Sequence, residues 1–226
     1  MSHILDRPIW SALATRHAAL AEGSSLARRY QPSVSAFAAA RDDRQESLEA
    51  LGRLVAGDEM LLLAEANEIV LPRGLQILST ADLVQMTAQQ HLPLLSDPRI
   101  EQLGEADAAE MLALATLTKP GPFSIRAQAF GNFWGVKIDG RLVAMAGERM
   151  KQPGYTELSG VCTHPDVRGK GLARLLSRFV AGQIFAKGDQ PYLHAYVTNT
   201  AAIALYQTIG FKIRSPINVA VVAPAA

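Results

Sequence analysis

The sequence predicts an α/β fold in which helices flank a mixed, mainly antiparallel sheet. Apolar spacing alternates between helical and strand periods along the chain. Asp139-Gly140 separates two strand-like runs as a tight hairpin turn would. With 226 residues, 49% hydrophobic and 19% charged, the chain is globular rather than disordered. A chain of that length buries about 70% of its unfolded surface, so it needs no disulfide, structural metal or obligate partner to form a core. Cys162 is the one cysteine, which excludes an internal disulfide and a Cys-rich zinc site and fits a reducing compartment. No apolar run reaches the ~18 residues of a membrane span. Met1 to Trp10 carries Asp6, Arg7 and Pro8 where a signal peptide would be apolar. The expectation is a cytoplasmic chain without membrane attachment.

In order, Ile9 to Glu22 is Ala/Leu-rich and followed by Gly23, which predicts a helix with a glycine stop. Leu26 to Ala40 holds two short strand-like runs interrupted by Pro32, and Arg44 to Val55 places Leu48, Leu51, Leu54 and Val55 at helical spacing. Met60 to Ala64 reads as a buried strand and Ala81 to Gln90 as a helix. Arg99 to Leu103 is a short strand. Glu105 to Thr118 is a helix with Glu105, Asp107 and Glu110 near its start, where acids favour the dipole. Phe133–Ile138 and Leu142–Met150 form the hairpin, and Pro153-Gly154 turns into a strand over Tyr155–Thr163. After Gly171, Leu172, Leu175, Leu176, Phe179, Val180 and Ile184 mark a long helix. Tyr192–Val197 is a strand, Thr200–Thr208 a helix stopped by Gly210, and Phe211–Val222 one or two strands.

Charge divides the chain. Residues 1–98 carry 8 Arg, no Lys and 12 acids, net −4, whereas residues 99–226 carry 14 basic and 9 acidic residues, net +5. Pro93 and Pro98 bracket the change and read as a linker. This predicts an N-terminal α/β domain over 1–96 and a second domain over 97–226. An anionic ligand is expected in the second, and a net charge of +1 does not suit a nucleic-acid binder.

The most informative segment is Val161-Cys162-Thr163-His164-Pro165-Asp166-Val167-Arg168-Gly169-Lys170-Gly171-Leu172-Ala173. A strand enters a two-glycine loop that opens an amphipathic helix. Glycine lets backbone approach a ligand closely, and a helix N-terminus offers unpaired N–H groups and a positive dipole end. With Arg168 and Lys170 beside them, these groups suit a pyrophosphate. The spacing matches neither the P-loop nor the dinucleotide fingerprint.

Arg168-x-x-Gly171-x-Ala173 behind Val161-Cys162-Thr163 resembles motif A of the GNAT superfamily of acyl-CoA-dependent N-acyltransferases. Downstream, Asn199, Ala201-Ala202, Leu205-Tyr206 and Ile209-Gly210-Phe211 resemble its motif B. Glu157 before Val161-Cys162-Thr163, together with Leu193-His194-Ala195, resembles the branch related to glycine N-acyltransferases. The resemblance covers residues 99–215, just over half of the chain. The first 96 residues are weakly similar to a decayed second copy of the same unit, a degenerate GNAT-like half.

The resemblance implies the GNAT fold and a transferase using acetyl-CoA as co-substrate, without a metal. It implies that the amides of Arg168, Gly169, Lys170, Gly171, Leu172 and Ala173 bind pyrophosphate. Val161, Cys162 and Thr163 would pair with the pantetheine arm, and Asn199 would hydrogen-bond pantetheine or phosphate. Tyr206 is the implied general acid for the departing thiolate. Glu157 is the implied general base, directly or through water. An amine would attack the thioester directly, helped by an oxyanion-stabilising backbone N–H. The implied acceptor is a small-molecule amine or amino acid, with a homodimer allowed as the assembly. A non-catalytic acyl-CoA-binding module is the rival reading.

Each residue also has a plainer reading. Cys162 has no His placed to activate it and reads as an inert buried strand residue. His164 suits loop geometry and His194 a core histidine, and no histidine spacing suits a metal. Glu157 could instead be a strand-edge ion-pair partner and Tyr206 core packing. Lys170, Arg174 and Arg178 form a basic helix stripe that suits solvent, or the 3′-phosphate of CoA, better than nucleic acid.

Overall fold

A computed structural model describes residues 3–225. Two sheets form: a small one of three short strands and a large one of eight. The small sheet joins β1 (Ala21–Gly23), β2 (Ala27–Tyr30) and β3 (Ala38–Ala40) in antiparallel order. It packs with α1 (Pro8–Ala14) and α2 (Gln45–Gly52). The helix expected over Ile9–Glu22 is therefore corrected to Pro8–Ala14. His17 turns inward to hydrogen-bond the Tyr30 hydroxyl (2.8 Å), and Ala21–Gly23 pairs with β2 instead of continuing the helix.

The large sheet contains β4 (Leu61–Glu65), β5 (Leu75–Ala88), β6 (Ile100–Leu103) and β7 (Phe133–Ile138) from the first part of the chain. It is completed by β8 (Arg141–Gln152), β9 (Tyr155–Thr163), β10 (Gln190–Tyr196) and β11 (Phe211–Pro224). Its spatial order is β4-β11-β5-β10-β9-β8-β7-β6. Every neighbouring pair is antiparallel except β9 and β10. The β7–β8 turn forms at Asp139 (φ 50°) and Gly140 (φ 77°), as the hairpin requires.

The helix expected over Ala81–Gln90 is a strand. Ala, Leu, Gln and Met favour a helix locally, but this segment forms ladders with β11 on one side and β10 on the other, and tertiary pairing overrides propensity. Because β5 lies inside the sheet, β4 and β5 complete the same layer as the later strands. The sheet also runs across the boundary expected at 96/97.

Helix α3 (Ala108–Thr118) packs against β8 and β9. Helix α4 (Leu172–Ala186) crosses from β9 to β10 and seats Leu172, Leu176, Val180 and Ile184 against Met86, Ala144, Ala146, Leu158 and Leu193. Each such residue, fully buried, contributes about 1.5–3 kcal/mol of burial free energy. Helix α5 (Thr200–Ile209) is stopped by Gly210 in the left-handed region. This packing fixes both helices that border the opening between β9 and β10.

Candidate active site

Within the large sheet, the one parallel strand pair is also the shortest. β9 and β10 pair only over Tyr155↔Gln190, Thr156↔Pro191 and Glu157↔Tyr192. Beyond Glu157, β9 stays with β8 and β10 stays with β5, so the two strands part. A groove of about 210 Å³ occupies the opening, with Ser159, Gly160 and Val161 on one wall and His194 and Ala195 on the other. Ala173 of α4 and Asn199 and Tyr206 at α5 also line it. A bulge shapes the first wall. The register passes from Gly147↔Ser159 to Met145↔Cys162, leaving Gly160 and Val161 opposite Ala146 alone. Gly160 sits at φ 63°, a conformation that favours glycine.

The groove leads to the start of α4. Gly171 (φ 75°) is the N-cap, and no side chain among the described residues caps this 15-residue helix. Its first N–H groups therefore remain free for an anion. A Cβ built at Gly169 or Gly171 meets no atom within 4 Å, so space is open above the loop. Leu172 is buried in the core and can offer the groove only its backbone. Arg168 and Lys170 are exposed beside the loop. Thr163 Oγ1 is buried without a hydrogen-bond partner among the described residues. An elongated ligand with a pyrophosphate at one end fits this shape and chemistry.

Glu157 is fully buried. Arg149 donates to it through Nε (2.8 Å to Oε2) and Nη2 (2.6 Å to Oε1). His194 Nδ1 lies 2.7 Å from Oε1, and the Met150 amide donates to Oε2 at 3.3 Å. A carboxylate offers about four lone-pair positions, and four donors fill them. Although burial alone would raise the pKa of Glu157, the Arg149 guanidinium overrides it and, with His194, holds the group down to about 2. With four donors on its oxygens and its pKa held low, Glu157 fits the strand ion-pair reading better than that of a direct base for the amine. It acts as an ion-pair anchor on β9.

His194 is held on both sides. Gln85 Oε1 accepts from Arg214, so Gln85 Nε2 donates to Leu5 O (3.0 Å) and to His194 Nε2 (2.9 Å). The ring then carries its proton on Nδ1, directed at Glu157. The plain reading of His194 as a satisfied core histidine is the one this network fits.

Tyr206 is largely buried, with its ring edge-on to Phe211 at 6.1 Å between centroids. Burial, and secondarily Cys162, push its phenol up to about 12. Its hydroxyl makes no hydrogen bond among the described residues. Asn199 is the N-cap of α5: its Oδ1 accepts from the Ala202 amide at 3.1 Å, which leaves Nδ2 for a ligand. Cys162 is buried in the cluster of Met145 and Phe133, and burial pushes its thiol up to about 11. It is no nucleophile. His164 shapes its loop by accepting from the Asp166 amide at 3.3 Å.

Arg149 is the important residue that sequence reading missed. One signal existed. Arg149 and Glu157 are opposite charges at nearly mirrored positions about the Pro153-Gly154 turn, where an antiparallel hairpin sets them side by side. Among the described residues no cluster of His, Cys, Asp and Glu suits a metal. No helix there is long and apolar enough to cross a membrane.

Residues 135–218 match the family described as FR47-like protein. Over 89 residues the chain is 33% identical to the N-alpha-acetyltransferase RimI of Mycobacterium tuberculosis, covering 38% of this chain and 55% of that protein. The chain thus spans about half the length of that curated relative. A crystal structure from Novosphingobium aromaticivorans, described as an acetyltransferase from the GNAT family, superposes with a TM-score of 0.94 at 40% identity over 100% of both chains. A GCN5-related N-acetyltransferase from Kribbella flavida shares the fold at a TM-score of 0.65 and 17% identity, over 96% of this chain and 95% of that one.

Proposed function

The chain belongs to the GNAT family of acetyltransferases, and from that premise we propose that it is an N-acetyltransferase taking its acetyl group from acetyl-CoA. The acceptor is an amine of a small molecule or amino acid. One observation carries the reading: the groove where β9 and β10 part runs to the uncapped, glycine-lined start of α4. In this reading the amides of Arg168 to Ala173 hold the pyrophosphate, and the free edge of β9 at Val161–Thr163 takes the pantetheine arm as a strand would. Asn199 contributes Nδ2 while its Oδ1 caps α5. Kinship with the glycine N-acyltransferase branch rests on Glu157 and Leu193-His194-Ala195 alone.

The chemistry follows from what is free to react. Glu157 and His194 are occupied, so the amine reaches the site as its neutral form or loses its proton to water. The bulge at Gly160 and Val161 lines the groove, and in this reading its backbone N–H groups meet the developing oxyanion. Tyr206 faces the groove with an uncommitted hydroxyl. Its phenol, near 12, is a weaker acid than a thiol near 8.5, so complete transfer of its proton to sulfur runs uphill by roughly 5 kcal/mol. Tyr206 therefore serves the leaving thiolate as a hydrogen-bond donor rather than as a full acid.

Thiol release from acetyl-CoA against a panel of amines tests the function. Amine-dependent release is the expected result. Tight CoA binding with no turnover on any amine would make the chain a non-catalytic acyl-CoA-binding module.

A further inference from the structure

A second cavity, of about 240 Å³, adjoins the groove and shares Arg149, Ser159, Gly160 and Pro122 with it. Its far wall is Pro32, Val34 and Ala36 from the segment between β2 and β3. Phe123, Phe130 and Phe133 close the rest. Among the described residues Arg149 is its sole ionisable lining group, so no carboxylate among them awaits an ammonium group there. The guanidinium spends Nε and Nη2 on Glu157. Nη1 makes no hydrogen bond among the described residues, and the side chain keeps 14% exposure.

Building on the proposed acetyl transfer, we infer that this cavity holds the acceptor, an α-amino amide with an apolar side chain whose carbonyl oxygen accepts from Arg149 Nη1. The apolar walls take the side chain, and Gly160, common to both cavities, marks where amine and thioester meet. The Arg149–Glu157 pair is already neutral. A second carboxylate would leave an uncompensated buried charge, whereas a neutral carbonyl adds a hydrogen bond without one. The reaction balances simply: the neutral amine nitrogen forms the N–C bond, the C–S bond breaks, the thiolate leaves, and the extra proton on nitrogen passes to water. Residues 32–36 thereby give the N-terminal segment a role in acceptor choice.

The test compares leucinamide, leucine, glycinamide and a leucyl tripeptide as acceptors for the full chain with acetyl-CoA. Leucinamide should exceed both leucine and glycinamide at least tenfold in kcat/KM. A tripeptide as good as leucinamide assigns the site to chain N-termini, and a poor one to small amides; either supports the amide reading. Leucine matching leucinamide, or glycinamide matching it, overturns the inference. Ala36→Trp should raise KM for leucinamide at least tenfold while calorimetric CoA affinity stays within twofold. An unchanged KM in that variant also overturns it. Arg149→Lys, which keeps a charge for Glu157 but loses the fork, should abolish the preference for amide over acid. Failure of the underlying function looks different, as no amine of any class then releases thiol.

Discussion

Arg149 grips Glu157 through two guanidinium nitrogens, at 2.8 and 2.6 Å, where the carboxylate has no exposure to solvent. The pair stands where β9 and β10 part, and through His194, Gln85 and Arg214 it connects to Asp6 near the N-terminus. Arg149 lines both the groove and the adjoining cavity, so the network is anchored between them.

Glu157→Gln leaves the Arg149 charge without its partner, so stability should fall by about 3–5 kcal/mol. The folded group titrates near 2 against an ordinary 4.5. A depressed carboxylate stabilises fully above its unfolded pKa and loses that contribution as pH falls from about 4.5 to about 2. Denaturant titrations should show this acid loss in the wild type and a flatter slope in the variant. The residual activity of the variant should keep its acidic limb, because four donors leave the Glu157 carboxylate no free lone pair. Loss of that limb would restore the base role.

Glu65 has the opposite sign. Burial raises it from 4.5 to about 7, only partly opposed by Arg7 at 3.1 Å. The folded state then binds the proton more tightly, so stability present below pH 4.5 is lost as pH rises toward 7. Glu65→Gln should raise the melting temperature at pH 8 and leave it nearly unchanged at pH 4.5, since Arg7 retains Asp43. Equal melting temperatures at pH 8 would mean that Arg7 fully offsets the burial of the Glu65 carboxylate.

Local signals carried much of this reading. Asp139-Gly140, the glycine loop at 169–171 and the Asn199 cap all act within a few residues, where sequence and structure coincide. The β5 segment reads locally as a helix because its strand state comes from β10 and β11, over 100 residues away in the chain. Glu157 was placed correctly in its strand, but its chemistry depends on Arg149 and His194, and lone-pair occupancy leaves no trace in residue spacing. The cavity wall at 32–36 was illegible for the same reason.

Asn199 separates folding from binding. Asn199→Ala removes the cap to Ala202 and should lower stability by about 1 kcal/mol. Asn199→Asp keeps an accepting oxygen and should restore that stability. It deletes the Nδ2 donor, however, and adds negative charge beside the phosphates, so CoA affinity should remain low. Calorimetry with thermal melts decides; normal CoA affinity in Asn199→Asp would make the residue a cap alone.

Gly171 tests the phosphate end. At φ 75° any side chain is strained, so Gly171→Val should lower stability by about 1–2 kcal/mol. Its Cβ meets no protein atom, so the fold survives while the branched side chain fills the space above the helix start. CoA affinity should fall at least tenfold, as read by calorimetry on folded protein. Unchanged affinity would move the pyrophosphate elsewhere.

Tyr206→Phe keeps the ring against Phe211 and deletes only the hydroxyl. If that hydroxyl merely reached solvent, nothing in catalysis should change. If it donates to the thiolate, the interaction strengthens as charge builds on sulfur, and a hydrogen bond to a charged group contributes about 1.5–3 kcal/mol. Because that bond is made mainly in the transition state, its loss should lower kcat by roughly 10- to 100-fold with KM for acetyl-CoA and melting temperature nearly intact. The pH profile adds a second readout. A phenol held near 12 stays protonated across the working range, so wild type and variant should share one profile shape and differ only in height. A basic limb present in the wild type and absent from the variant would show that Tyr206 surrenders its proton after all. Turnover within twofold of wild type would leave Tyr206 as packing and pass the thiolate to water.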